Sequence, residues 1–295
     1  MRWKKLGIIA GGGSLPIELA HYCQSHQHDF YMIRLAGMAD EGCNEFPGMD
    51  CTIAEIGTIF RALREQECDG VVMGGNVQRP NFSTLKPDWR GAALLPKFVS
   101  TAMKGDGALL TAIVSEFEAE GFLVIGADEV LDHVTPPPGA LGDYEPDQKD
   151  LLDIKKAAAI VRALGPYDVG QGAVVSDGQV LGIEAAEGTD DLLLRCAHLL
   201  HRLSITPPRG VLVKLPKPDQ ELRVDLPTIG VKTIINASHA GLRGVALLVD
   251  KALILNRSEM LAVAREKKLF VYGFTLKELD ALDGRSAGFG MDENA

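Results

Sequence analysis

Hydrophobic positions along this chain change period repeatedly, and the changes lay out alternating strands and helices. An apolar run from Lys5 to Ala10 breaks into Gly11-Gly12-Gly13-Ser14, after which Pro16, Ile17, Leu19 and Ala20 carry helical spacing. The pattern returns as a strand over Phe30–Leu35, a strand around Thr52–Ile56, a helix from Thr58 to Gln66 and a strand Gly70–Met73 that opens into Gly74-Gly75-Asn76. A polar loop is expected after Pro80, then an amphipathic helix over Ala108–Glu120 and a closing strand Phe122–Gly126. Strands alternating with helices predict a parallel sheet. Residues 1–134 therefore read as a Rossmann-like, doubly wound α/β domain.

The pattern lapses over 135–149, where Pro136-Pro137-Pro138-Gly139 and then Asp143, Glu145, Pro146 and Asp147 predict a linker. A helix over Asp150–Leu164 faces Ile154, Ala158 and Val161 inward and stops at Gly165-Pro166. The apolar runs Ala173–Val175 and Val180–Ile183 flank Ser176-Asp177-Gly178, the signature of a β-hairpin closed by Asp-Gly. Thr189 or Asp190 is expected to cap the next helix, whose buried face is Leu193, Ala197, Leu200 and Leu203. A strand Gly210–Leu215, a polar loop, a helix 228–239, a strand pair Val245–Leu255, a helix Ser258–Lys268 and a strand Leu269–Phe274 complete a second, smaller α/β domain over 150–274. Residues 275–295 turn acidic and glycine-rich and read as a tail.

Composition narrows the function. At 295 residues and 46% hydrophobic content the chain supports two cores. With 30 basic against 40 acidic residues the net charge is −10, which excludes sequence-independent binding to nucleic acid. Cys23, Cys43, Cys51, Cys68 and Cys196 show no CxxC spacing and read as reduced, packed thiols. No stretch has the ~20 apolar residues of a membrane span, and the run from Leu6 to Ala10 is too short for a signal peptide. A cytoplasmic protein is expected.

Candidate chemistry falls in both domains. The first turn reads Gly11-x-Gly13-x-x-Pro16, short of the dinucleotide fingerprint, and Arg34 stands where a ribose-binding acid belongs, so NAD is rejected. Backbone amides at Gly12, Gly13 and Ser14 would suit a phosphate instead. Asn76 marks a second corner, Arg79 and Lys104 are candidate phosphate contacts, and Asp106 is a candidate N-cap. The stretch from Gln171 to Arg195 reads as the floor of a site, because Glu184, Glu187, Asp190 and Asp191 fall within eight residues containing no Lys or Arg. Acids packed that closely repel unless a cation or proton intervenes, and hard oxygen ligands suit Mg²⁺. From Arg209 to Lys232 five basic residues, Lys214 and Arg223 among them, face three acids, a local basic patch in an acidic chain. There is no GxSxG elbow, and His198 and His201 lack a HExxH setting, which favours metal-assisted hydrolysis over covalent catalysis.

The motifs GIIAGGGSLP, GNVQRP, KGDGALL, GQGAVV, GIEAAEGTD and QELRVDLPTIG, spread over most of residues 5–274, together resemble the UDP-2,3-diacylglucosamine pyrophosphatases of lipid A biosynthesis in their cytosolic two-domain form. Glu221 departs from the resemblance, which leads one to expect Asp after Gln. The resemblance implies hydrolysis of the substrate's pyrophosphate to UMP and 2,3-diacylglucosamine 1-phosphate, with Mg²⁺ as the usual metal. It makes Asp225, in RVDLP, a catalytic or metal-binding carboxylate. The expected site is then Asp225, Lys214 and Arg223 at the reaction, and Asp225 with Asp190 on the metal. Gly12, Gly13, Ser14, Asn76, Arg79, Lys104, Gln171, Glu187 and Thr189 would hold substrate. The expected partner is a lipid-linked nucleotide sugar, with peripheral contact at the inner face of the inner membrane and a homodimer both admitted. The competing readings are an ATP-dependent carboxylate-amine ligase and a non-enzymatic nucleotide-sugar sensor.

Overall fold

The computed structural model describes residues 2–78, 80–132, 134–202, 208–218 and 220–286. The chain forms two compact units, one of residues 1–133 with 220–225, the other of 134–219 with 226 onward.

The first unit runs β1 (Lys5–Ala10), α1 (Leu15–Ser25), β2 (Asp29–Leu35), β3 (Gly48–Cys51), α2 (Ile56–Glu65), β4 (Gly70–Gly74), α3 (Trp89–Ala102), α4 (Asp106–Ala119), β5 (Leu123–Ile125) and α5 (Ala127–Val130). Its sheet has the order β3-β2-β1-β4-β5 and is parallel throughout. Strands in such a sheet are covered on both faces, which is why β1 is a continuous apolar run: Leu6, Ile8 and Ala10 are fully buried. The order reverses between β1 and β4, and ligands of doubly wound folds gather at the carboxyl ends of the strands beside that reversal.

Two expectations fail in this unit. The third strand lies at Gly48–Cys51, not Thr52–Ile56, because the Glu55 carboxylate accepts both the amide (2.8 Å) and the hydroxyl (2.7 Å) of Thr52 and folds that stretch into the turn before α2. The polar loop before Lys104 is in fact largely α3, whose N-cap Asp88 accepts from the Gly91 amide at 2.7 Å and from the Thr58 amide at 2.8 Å. Gly91 and Pro96 interrupt its sequence, and several of its apolar residues face solvent, so no core-facing stripe announces it.

The second unit runs β6 (Gly139–Leu141), α6 (Gln148–Leu164), β7 (Gly172–Ser176), β8 (Gln179–Ile183), α7 (Gly188–Arg202), β9 (Val211–Lys214), β10 (Thr228–Ile229), α8 (Val231–His239), β11 (Gly244–Leu248), β12 (Leu253–Ile254), α9 (Arg257–Lys267), β13 (Phe270–Phe274) and α10 (Leu276–Ser286). Its main sheet has the order β6-β13-β11-β9-β7-β8; β9, β11 and β13 are mutually parallel, while β6, β7 and β8 pair antiparallel. Alternation along the strands feeds two cores: Val174, Leu212, Val245 and Val271 pack with α7 and α8 on one face, and Ala173, Val213, Ala246 and Phe270 with α6 and α10 on the other.

The hairpin forms as expected. Asp177 and Gly178 both take positive φ (48° and 74°), and the Asp153 carboxylate holds their amides at 2.8 and 2.7 Å. The segment read as a linker contributes β6 to the sheet edge, and the segment read as a tail begins with α10. Thr275-x-x-Glu278 is a capping box whose Glu278 amide donates to the Thr275 hydroxyl at 3.1 Å, and Leu279 and Leu282 behind it are buried with Phe270 and Phe274. Leu203 and residues 287–295 lie outside the described residues. Leu279→Ala is expected to lower stability by about 2–5 kcal/mol in chemical denaturation of the full chain. An unchanged denaturation midpoint would mean that α10 is no part of that core.

Candidate functional site

The second unit builds its polar centre at the carboxyl edge of its parallel strands. Lys214, the last residue of β9, is only 4% exposed. Across the antiparallel pairing it stands opposite Gly172, where a Cβ would fall 2.4 Å from Glu184 Oε2. Only glycine there lets the Glu184 carboxylate lie over the strand. The Thr189 hydroxyl, in the first turn of α7, donates to Glu184 Oε1 at 2.8 Å and accepts from Lys214 Nζ at 2.8 Å. Lys214 Nζ also donates to the Thr228 carbonyl at 3.3 Å.

Taking an amine cation out of water costs several kcal/mol, of which hydrogen bonds from a charged group return about 1.5–3 kcal/mol each. Glu184, one hydroxyl away, offsets more of that cost. Its own Oε2 is buried with no hydrogen-bond partner, an acceptor that a bound donor would satisfy. The cluster thus offers a cation for a phosphate oxygen beside an empty acceptor for a hydroxyl or amide N–H.

The neighbouring acids are less open than their spacing implies. Glu187 pairs with Arg195 at 2.5 Å; its own backbone amide, against a smaller cost of burial, and the Arg195 guanidinium hold its carboxyl below the usual range. Asp190 accepts from Asn236 Nδ2 at 2.8 Å and pairs with Lys232 at 2.7 Å. The expectation of unpaired acids fails because their cations come from two turns further along α7 and from α8. Helix α7 starts at Gly188, so Thr189 and Asp190 lie inside its first turn. Glu187, Asp191 and Arg195 line a shallow cleft with Ile183 and Ala185. Gln171 Oε1 is buried without a partner, and strand alternation sends that side chain away from the face that Gly172 shares with Glu184.

In the first unit the two glycine corners interlock. Gly12 and Asn76 exchange backbone hydrogen bonds at 2.9 and 2.7 Å, and Gly75, at φ +91°, would bring a Cβ to 2.5 Å from the Gly12 carbonyl oxygen. The Gly13 amide donates to Asp40 Oδ2 at 2.7 Å and the Ser14 hydroxyl to Glu18 at 3.0 Å. The amides of Gly12 and Gly13, expected free for a phosphate, are therefore engaged. Asp40 puts a carboxylate where a ligand anion would sit, so a ligand must displace it. Arg34 is spent on Asp50 at 2.6 Å and the Phe46 carbonyl at 3.2 Å. Lys104 is exposed in the turn after α3, Gly105 rather than Asp106 is the N-cap of α4, and Arg79 lies outside the described residues.

The segment 220–225 carries Asp225, which is half-buried. Its amide donates to the Glu221 carbonyl at 3.1 Å, its own carbonyl accepts from Gln220 Nε2, and Val224 packs against the core of the first unit. Arg223 forks onto both oxygens of Glu221 at 2.8 Å and reaches Glu118 at 2.7 Å. Hydrogen bonding to Arg223 holds the Glu221 carboxyl below its usual range, and the two carboxylates raise the arginine further. Arg223 thus fixes the loop that bears Asp225. Among the described residues no three His, Cys, Asp or Glu side chains are arranged to hold a metal ion. The donor set fits Mg²⁺ only where one or two carboxylates are completed by substrate phosphates. Asp40 and Glu118 were outside the expected site, and their roles arise only from folding; Glu184 was counted among the clustered acids, but its hydroxyl-bridged link to Lys214 was not foreseen.

Residues 5–134 match the model of the LpxI N-terminal domain and residues 137–272 that of the LpxI C-terminal domain. The UDP-2,3-diacylglucosamine pyrophosphatase LpxI of Caulobacter vibrioides is 47% identical over 277 residues, 93% of this chain and 99% of the relative. A solved structure described as an NAD-dependent epimerase/dehydratase from Methylobacillus flagellatus aligns over 99% of this chain and 94% of its own at 11% identity, with a TM-score of 0.29, too slight a likeness to bear on function.

Thr189→Val keeps the shape of the side chain and deletes the hydroxyl that joins Glu184 to Lys214. It is expected to cost about 1–3 kcal/mol in denaturant unfolding, with Thr189→Ser close to the parent. Equal stability of the valine and serine variants would refute the bridge.

Proposed function

This chain belongs to the LpxI family, and we propose from that membership that it hydrolyses the pyrophosphate of UDP-2,3-diacylglucosamine to UMP and 2,3-diacylglucosamine 1-phosphate, a step of lipid A biosynthesis. The observation that carries the proposal is the match to the Caulobacter enzyme at 47% identity across 99% of that relative.

In this reading Lys214 meets charge on the pyrophosphate and Thr189 aims it. Glu184 Oε2 accepts from a hydroxyl or amide of the substrate. Asp225 orients the attacking water or contacts Mg²⁺, on a loop that Arg223 holds in place. Asn76 and the turn at Gly12, Gly13 and Ser14 bind the nucleotide or sugar phosphate once Asp40 is displaced, Lys104 and Arg79 reach phosphate oxygens, and Glu187 contacts substrate, while Gln171, expected to do the same, lies on the other face of its strand. A bound Mg²⁺ would neutralise phosphate oxygens and polarise water. Water attacks the sugar-side phosphorus, its oxygen stays with the lipid phosphate, and UMP leaves.

The test is incubation with substrate and Mg²⁺ in heavy-oxygen water, with and without chelator, followed by mass spectrometry. Chelator-sensitive release of UMP with the label in 2,3-diacylglucosamine 1-phosphate is expected. Label in UMP would move the attack to the nucleotide-side phosphorus, and no cleavage would refute the function. Asp225→Asn should lower kcat about 100-fold or more if the carboxylate acts on water or metal; near-parent turnover would remove Asp225 from the chemistry.

A further inference from the structure

Helix α3 presents its wrong side to water. At 3.6 residues per turn Trp89, Ala92, Ala93, Pro96, Ser100 and Met103 fall on one stripe, and all are exposed, Trp89 by 73% and Met103 by 83%. The opposite stripe, Gly91, Phe98 and Ala102, is buried. A solvent-facing stripe of a packed helix is ordinarily polar, and a contiguous exposed apolar face marks a contact surface.

The flanks of the face decide what it contacts. Lys97 and Lys104 border the stripe on one side and Lys86 precedes the helix; all three are exposed. Between residues 85 and 105 the chain carries Lys86, Arg90, Lys97 and Lys104 against Asp88 alone, a basic stretch in a chain of net charge −10. Lys97 pairs with Glu116 at 2.6 Å and Arg90 with Glu120 at 2.6 Å, carboxylates in α4 and at its C-cap, so these two cations are held on the side of α3 that meets that helix. A tryptophan and a methionine on an apolar stripe edged by lysines is the pattern of a helix that lies in a bilayer interface, with cations at the level of anionic headgroups. Among the described residues no helix is long and apolar enough to cross a membrane, so the fit is to lying on the surface.

We propose that the exposed face of α3 docks this protein on an anionic lipid surface, with Trp89 and Met103 entering the interface and Lys86 and Lys97 at the level of headgroup phosphates. The proposal goes beyond the hydrolase reading and stands on the helix face alone; a lipid-linked substrate only supplies a reason for it.

The chain has two tryptophans, Trp3 and Trp89, so Trp3→Phe in the full chain leaves Trp89 as the sole reporter. Vesicles containing phosphatidylglycerol should shift its emission to the blue, and lipids brominated on the acyl chain should quench it. Vesicles of phosphatidylcholine alone, or high salt, should weaken both signals. Trp89→Ser with Met103→Ser should lower binding to phosphatidylglycerol vesicles in flotation by about tenfold or more, the scale set by withdrawing one large apolar side chain from such an interface. Its thermal unfolding and its hydrolysis of detergent-dispersed substrate should stay unchanged. Absence of any shift with anionic vesicles would overturn the proposal. So would a sedimentation shift from dimer to monomer in the double variant without vesicle binding, which would assign the face to a second copy. Vesicle binding without hydrolysis would sink the enzymatic reading and leave this one standing.

Discussion

The second unit is organised around a buried amine that, among the described residues, reaches its nearest carboxylate only through a hydroxyl. Lys214 ends a strand whose Val211, Leu212 and Val213 are fully buried, in the middle of a six-stranded sheet, and among the described residues its Nζ meets a hydroxyl and a carbonyl. Each neighbouring feature can be understood as making that tolerable. Gly172 leaves room for Glu184 across the strand, and Gly182, whose Cβ would fall 2.6 Å from Leu192 Cδ1, lets α7 press on β8 and bring Thr189 within reach. A buried cation held this way is a poor source of stability, since a well-packed apolar side chain would serve the core as well. Its retention at the carboxyl edge of parallel strands makes sense as binding chemistry held ready for an anion.

The first unit manages charge by a different route. Its turn amide is closed by an internal carboxylate, Asp40, so the anion-binding geometry exists but is occupied. Its arginine at 223 is spent on two glutamates, which converts a candidate ligand contact into a brace for the loop bearing Asp225. At 221 the chain carries Glu, and both of its oxygens meet the guanidinium two residues away. In both units, charged groups that look available along the chain are partnered in space.

That difference marks how much was legible beforehand. The parallel first sheet and the Asp-Gly hairpin could be read because strand and helix periods and a positive-φ turn are local signals. The positions of Lys214 at a strand end and Thr189 at a helix start were also within reach, since those signals are local. What stayed hidden was pairing between elements: Arg195 on Glu187, Lys232 on Asp190, Asp40 on Gly13. Helix α3 escaped because its apolar residues face outward around Gly91 and Pro96, and α10 because a short capped helix precedes an aperiodic end. The misread charges share a cause, since each was judged by its neighbours in sequence rather than its neighbours in space.

Whether the Lys214 amine is kept buried for the substrate's phosphates is tested most directly by Lys214→Met, because methionine fills similar space without charge. With the charge gone, kcat with UDP-2,3-diacylglucosamine is expected to fall by about 100-fold or more, the scale of one lost charge-stabilising donor, while the melting temperature holds or rises. Near-parent turnover, or a loss of activity that follows collapse of the fold, would contradict that role.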